Sequence, residues 1–129
     1  MGKYKTNSLT DYKRNNKIIL RNFSESCDMH DLIKLLLVRM LRRKHPDSRL
    51  NPIYTELERE EGEIPDIWAK LKKDIVVYEI QKDNSNKWTK KVNTKYEDVD
   101  LVIVPIKELE KKYKKMLDEL KEELSKYII

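Results

Sequence analysis

Two short apolar strands joined by a polar turn form the most informative pattern in the chain. The strands are predicted at residues 65–71 and 75–81, with the turn near Lys72-Lys73-Asp74. Their β-branched and aromatic content, with a polar tripeptide between them, predicts an antiparallel hairpin. The hairpin places Asp66, at the start of the first strand, beside Glu79, late in the second. Acidic side chains within apolar strands are costly unless they bind a partner, and a divalent metal ion is the obvious candidate.

Helical periodicity dominates both flanks of this hairpin. A first helix is predicted to begin after Ser24 or Ser26 and to end before Pro46, because apolar residues recur between them at helical spacing. A long amphipathic helix is predicted from Ile106 to about Tyr127, with alternating Lys and Glu on its outer side. This last helix either docks on the sheet or pairs with a second copy of the chain.

Shorter segments complete the predicted order. A strand is expected at residues 53–58, a polar helix at 87–96 and a buried strand at 101–104. The order α-β-β-β-α-β-α predicts an α/β (α+β) domain in which helices flank a central mixed sheet. The first three strands form an antiparallel meander and the fourth joins through a helical crossover. Residues 1–23 form a basic, partly flexible arm with one short docking segment, and residues 24–129 form the domain.

Charge is unevenly distributed along the 129 residues. Residues 1–50 contain 12 Lys and Arg against 5 Asp and Glu, whereas residues 51–129 contain 16 against 18. A basic front half suggests a polyanion partner such as DNA, and the alternative is an ordinary solvated surface. The single Cys27 fits a reducing compartment. Neither an apolar run near 18 residues nor an N-terminal leader is evident, so we expect a cytoplasmic protein without membrane association.

A basic cluster closes the first predicted helix. It consists of Arg39, Arg42, Arg43 and Lys44. Cations suit the carboxyl end of a helix dipole, so these residues cap the helix, contact the DNA backbone, or do both.

The acidic residues of the strands suggest a metal site. Strand alternation places Glu79 on one face with Val77 and Gln81, and Asp66 across the hairpin can share that side. Glu56 or Glu58 on the preceding strand offers a third carboxylate. Carboxylates this close repel unless they share a proton or bind a cation, and oxygen ligands favour Mg²⁺ or Mn²⁺.

These residues carry a family resemblance. Pro65-Asp66, twelve further residues and then Glu79-Ile80-Gln81-Lys82 resemble the signature of the PD-(D/E)XK, or restriction-endonuclease-like, nuclease superfamily. The predicted α-β-β-β-α-β order, over about residues 25–105, is also similar to that superfamily's core. The resemblance implies that Asp66 and Glu79 are metal ligands, together with the backbone carbonyl of Ile80, and Glu56 is a further candidate.

The signature departs from the superfamily at one position, where Gln81 stands in place of a lysine. Glu79-Ile80-Gln81 is similar to the Glu-x-Gln variant found in some branches. Strand alternation points Lys82 to the opposite face, so the candidates for this positive charge are three lysines of the next predicted helix, Lys87, Lys90 and Lys91. These helix lysines are also candidate DNA contacts.

The first helix of the superfamily often contributes an acidic or histidine residue to the edge of the site. Glu25 and His30 are the candidates here, and the alternative for His30 is an ordinary half-exposed histidine. Trp68 and Trp88 are either core residues or platforms for base stacking.

The resemblance implies a Mg²⁺- or Mn²⁺-dependent deoxyribonuclease. It would cut DNA as an endonuclease or exonuclease, and the sharper expectation is cleavage of branched DNA, as by Holliday-junction resolvases. It would act as a homodimer holding the DNA backbone. The candidate catalytic residues are Asp66, Glu79, Gln81, Lys82 and His30. Two alternatives remain open: a nuclease fold that has lost catalysis and only binds DNA, and an interaction protein assembled through residues 106–127.

Overall fold

A four-stranded mixed sheet organises the part of the chain that the structure describes. The computed structural model describes residues 17–20, 23–58, 62, 64–81 and 98–129. Within these ranges the chain forms one small α+β domain with two α-helices. The elements are a 3₁₀ turn at Glu25–Cys27, helix α1 at Asp28–Lys44, strands β1 at Ile53–Thr55, β2 at Ile67–Leu71, β3 at Asp74–Gln81 and β4 at Asp100–Pro105, and helix α2 at Ile106–Ser125. The helix predicted at 87–96 lies outside these residues.

The sheet has the order β1-β2-β3-β4. The first three strands pair antiparallel, and β3 pairs parallel with β4, as the predicted meander and mixed sheet require. One end of the sheet therefore collects the carboxyl ends of β1, β3 and β4 and the amino end of β2. We call this the Asp66 end, because Asp66 directly precedes β2 there.

Two residues with positive φ set strand boundaries. Glu56 has a φ of 54°, which takes the backbone out of the extended region and ends β1 at Thr55, three residues before the predicted end at residue 58. Lys72 has a φ of 61° and forms the hairpin turn with Lys73. The predicted hairpin is confirmed, with strands that begin at Ile67 and Asp74.

Both faces of the sheet are covered by apolar side chains. Helices α1 and α2 pack on one face, in two clusters built around Val38, Ile53, Ile67 and Ala69 and around Met29, Ile80 and Ile106. The other face buries Trp68, which is 1% exposed and stacks on Tyr54 at a ring-centroid distance of 5.7 Å. Trp68 is therefore a core residue, and Trp88 lies outside the described residues.

Residues 17–20 dock on the edge strand β1. The Thr55 hydroxyl donates to the carbonyl of Lys17 at 2.9 Å and accepts from the amide of Ile19 at 2.8 Å. This segment thereby covers part of β1, a strand at the edge of the sheet, without itself forming a strand. Neither described helix combines the length and apolar content needed to cross a membrane.

Candidate active site

Three acidic residues are backbone neighbours at the Asp66 end of the sheet. Thr55 pairs with Ile67, and Ile67 pairs with Tyr78. One position beyond these pairs, the same register aligns Glu56 with Asp66 and Asp66 with Glu79, and the Glu56 amide donates to the Asp66 carbonyl at 3.3 Å. The backbone positions of Glu56, Asp66 and Glu79 are therefore adjacent, as the sequence predicts. The partner of each carboxylate depends on the direction of its side chain.

Asp66 joins α1 to β3 through its buried carboxylate. The residue is 4% exposed, and both carboxylate oxygens accept hydrogen bonds. Oδ1 accepts from His30 Nε2 at 2.9 Å, and Oδ2 accepts from the Ile80 amide at 2.7 Å. Hydrogen bonds to a charged acceptor are roughly twice as strong as neutral ones, so this carboxylate is held in one position from two sides.

His30 lies between two carboxylates. Its Nδ1 is 3.2 Å from Asp31 Oδ1, while its Nε2 faces Asp66. The hydrogen bond to Asp66 is the main cause that raises the pKa of His30 above its ordinary value, with a smaller rise from Asp31. Partial burial and the positive charge of Lys34 oppose this rise. Only the imidazolium form can donate to both carboxylates at once, which is consistent with the direction of the shift.

The His30–Asp66 bond is expected to stabilise the fold more at low pH than at high pH. Because the folded pKa of His30 is raised above its value of 6.5 in the unfolded chain, the full contribution is present below about pH 6.5 and is lost as the pH rises through the folded pKa. Urea unfolding of wild type and His30→Gln at pH 5.5 and 8.5 measures this. The difference in unfolding free energy should be larger at pH 5.5.

His45 provides the matched control for this experiment. It is the C-cap residue of α1, where its backbone amide donates to Leu41, and its side chain has no described carboxylate contact. The effect of the substitution on the unfolding free energy should change more between pH 5.5 and pH 8.5 for His30→Gln than for His45→Gln. A His30→Gln effect that is independent of pH, or that grows as the pH rises, contradicts the proposed pairing.

A buried ion pair lies beside this arrangement. Lys34 is 1% exposed, and its Nζ donates to Glu56 Oε1 at 2.8 Å and to the Ile19 carbonyl at 2.9 Å. The positive φ of Glu56 turns its side chain towards α1. Glu56, a predicted third metal ligand, therefore neutralises a buried lysine. One feature of the sequence indicates a buried Lys34: it is a charged residue within an apolar helical run, four residues after His30.

The remaining predicted ligands are Glu79 and Ile80 of β3. Glu79 is half-buried and is aligned with Asp66. In a strand, the N–H and C=O of one residue point to the same side. Since the Ile80 amide donates to Asp66, the Ile80 carbonyl also faces the Asp66 side. Among the described residues no three His, Cys, Asp or Glu side chains converge as a metal-binding group. Asp66, Glu79 and the Ile80 carbonyl stay a predicted ligand set.

Gln81 lies on the strand face that also holds Glu79 and Val77, and it is 8% exposed. The predicted positive charges at Lys82, Lys87, Lys90 and Lys91 lie outside the described residues. Glu25 is directed elsewhere, because its carboxylate accepts from Lys121 of α2 at 2.9 Å. Of the two α1-side candidates, His30 is thus the one that contacts Asp66.

The basic cluster divides into a capping residue and a surface group. Arg42 donates to the carbonyls of His45 and Asn51 at 3.0 and 2.9 Å, and partial burial lowers its pKa. This contact fastens the end of α1 to the following loop, as the capping interpretation expected. Arg39, Arg43 and Lys44 are exposed. Lys44 lies about 21 Å from His30 along the helix, given a rise of 1.5 Å per residue.

Comparison with known proteins assigns no relative to this chain. No family model matches the sequence, and neither a curated protein nor a solved structure gives a significant match.

Proposed function

We propose that this protein is a Mg²⁺- or Mn²⁺-dependent deoxyribonuclease built on a PD-(D/E)XK-like core, with branched DNA as a candidate substrate. One observation carries the proposal. The buried Asp66 carboxylate bonds the Ile80 amide across the hairpin, directly beside the position aligned with Glu79. This geometry supports the residue pairing that the signature Pro65-Asp66 and Glu79-Ile80-Gln81 implies.

Each residue has a separate role in the proposed site. Asp66, Glu79 and the Ile80 carbonyl would hold the metal, which would supply a water of lowered pKa and polarise the scissile phosphate. His30 positions Asp66 through the 2.9 Å hydrogen bond, as the outer partners of metal ligands commonly do. Gln81 would orient the attacking water through its amide.

The DNA would lie along the exposed side of α1. Arg39, Arg43 and Lys44 are exposed there, and their positive charge would neutralise backbone phosphates without reading the sequence. Affinity of this kind falls steeply as the salt concentration rises. The 21 Å estimated between His30 and Lys44 would place this contact several nucleotides away from the cleaved bond.

A cleavage assay with a matched carboxylate control tests this function. Wild-type protein is incubated with linear, nicked, single-stranded and four-way-junction DNA in Mg²⁺ or Mn²⁺. We expect cleavage of at least one substrate, its loss in EDTA, and a fall of about 100-fold or more for Glu79→Gln, which removes a direct ligand. Asp74→Asn removes the exposed carboxylate at the opposite end of β3 and should retain activity.

The proposal is wrong if every substrate remains intact with both metals, or if Glu79→Gln and Asp74→Asn cut equally well. Circular dichroism of each variant establishes that a lost activity does not reflect lost structure.

A second function is favoured by a specific observation. Both oxygens of Asp66 already accept hydrogen bonds, and Glu56 is paired with Lys34, so the carboxylates are neutralised without a metal. Together with Gln81 in the lysine position, this favours a DNA-binding module that has lost catalysis. Salt-sensitive DNA binding combined with a silent calorimetric titration of Mn²⁺ would select this alternative.

A further inference from the structure

The long helix α2 exposes an apolar stripe. Tyr113, Met116, Leu120 and Leu124 recur every three or four residues and so lie along one side of the helix. Met116 is 61% exposed, and Leu120 and Leu124 are each 50% exposed. Monomeric proteins rarely expose a continuous apolar row of this length, which marks the stripe as a contact surface.

The side of α2 that faces its own domain is a different one. Leu117 packs into the cluster around Met29, and Lys121 is 2.9 Å from Glu25 and 2.6 Å from Asp28, at the start of α1. Intramolecular packing among the described residues therefore accounts for Leu117 and Lys121 but leaves the stripe on the adjacent side uncovered.

Charge along α2 identifies the partner. Residues 107–115 contain five Lys and two Glu, whereas residues 116–125 contain one Lys and four acidic residues. The helix dipole favours the reverse order, with acids at the amino end and cations at the carboxyl end, and the last turn of α2 has no basic residue. In an antiparallel pair, the acidic half of each α2 helix lies beside the basic half of the other. The attraction between these halves offsets the unfavourable order of charges along each helix.

We propose that α2 is a dimerisation helix, whose apolar stripe packs antiparallel against the same stripe of a second copy of this chain. Lys112 and Glu119 border the stripe on the same side and are one heptad apart. In an antiparallel pair, such positions face each other across the two-fold axis, so Lys112 of each copy lies near Glu119 of the other. This inference does not depend on the proposed nuclease function, since its test measures mass alone.

Sedimentation equilibrium of the full chain at several concentrations tests the assembly. We expect a mass twice the 15.6 kDa of the chain. Leu120→Lys should raise the dissociation constant about 100-fold or more, as expected for the loss of two buried Leu side chains per dimer. Leu36→Lys on α1 makes the same substitution at a similarly exposed residue, 49% against 50%, and should leave the mass unchanged.

A charge exchange tests the orientation. Lys112→Glu should weaken the dimer by creating Glu–Glu contacts, and the double variant Lys112→Glu/Glu119→Lys should restore it, because the exchanged charges again face each other. A monomer at every concentration, equal effects of Leu120→Lys and Leu36→Lys, or no restoration in the double variant would overturn the proposal.

Discussion

Replacing Lys34 with methionine is expected to lower the free energy of unfolding by about 3–5 kcal/mol, the cost of leaving one member of a buried ion pair without its partner. The pair is well shielded, since Lys34 is 1% exposed and lies 2.8 Å from Glu56. The same substitution also removes the donor to the Ile19 carbonyl. A loss of this size is a large part of the stability of a small domain, which is about 5–15 kcal/mol. Urea unfolding followed by circular dichroism measures it.

The double variant Lys34→Met/Glu56→Leu separates charge from packing. Replacing both members of a buried pair with apolar residues is often neutral or stabilising, so the double variant should be more stable than Lys34→Met alone. It should remain below wild type, because the Ile19 carbonyl still lacks its donor. Lys107→Met, at an exposed position of α2, is the matched control and should change stability by less than about 0.5 kcal/mol. An effect of Lys34→Met as small as this control contradicts the buried pair.

Asp66→Asn is expected to abolish divalent-metal binding at the proposed site while the protein remains folded. The amide is nearly isosteric and keeps an oxygen for the Ile80 amide, but it removes the negative charge that a hard cation requires. Loss of an outer partner commonly costs 10–100-fold in metal affinity, so loss of a direct ligand should cost about 100-fold or more. Isothermal titration with Mn²⁺, with Ca²⁺ as a non-catalytic substitute, gives the affinity, and thermal unfolding reports the integrity of the fold.

Asp31→Asn is the informative control for that experiment. Asp31 also faces the His30 ring, at 3.2 Å, but lies on α1 and is not part of the proposed ligand set. The variant therefore perturbs His30 without removing the Asp66 carboxylate, and should change the metal affinity only slightly. Equal losses in Asp31→Asn and Asp66→Asn would mean that Asp66 is not a direct ligand. A wild-type protein that binds no metal but retains DNA affinity would favour the inactive nuclease-fold module.

Features of the site that depend on neighbouring residues can be predicted from the sequence, whereas features that depend on contacts between distant residues cannot. The hairpin that aligns Asp66 with Glu79 is encoded locally, by two apolar strands and a polar turn between them. The position of His30 depends on how α1 crosses the sheet, and helix periodicity alone left it as either a site residue or an ordinary surface histidine. Its contact with Asp66 joins residues 36 positions apart.

Glu56 illustrates the reverse case, in which a local rule gave a misleading expectation. Alternation along an extended strand through residue 58 made this residue a candidate third ligand. The backbone leaves the extended region at Glu56 itself, with a φ of 54°, and the side chain meets Lys34. A lysine in the middle of an apolar helical run identifies a buried charge, but the identity of its partner depends on the packing of α1 against β1.

The sequence by itself determined helices α1 and α2, the hairpin, the parallel fourth strand and the alignment of Asp66 with Glu79, because periodicity and turn chemistry act over a few residues. Only the tertiary structure showed that Asp66 is held by His30 and the Ile80 amide, that Glu56 neutralises Lys34, and that the stripe of α2 is left uncovered by the described residues. These features depend on the direction of single side chains and on the docking of whole elements. Burial and charge pairing determine the side-chain directions and the docking, and they act between residues that are far apart in the sequence.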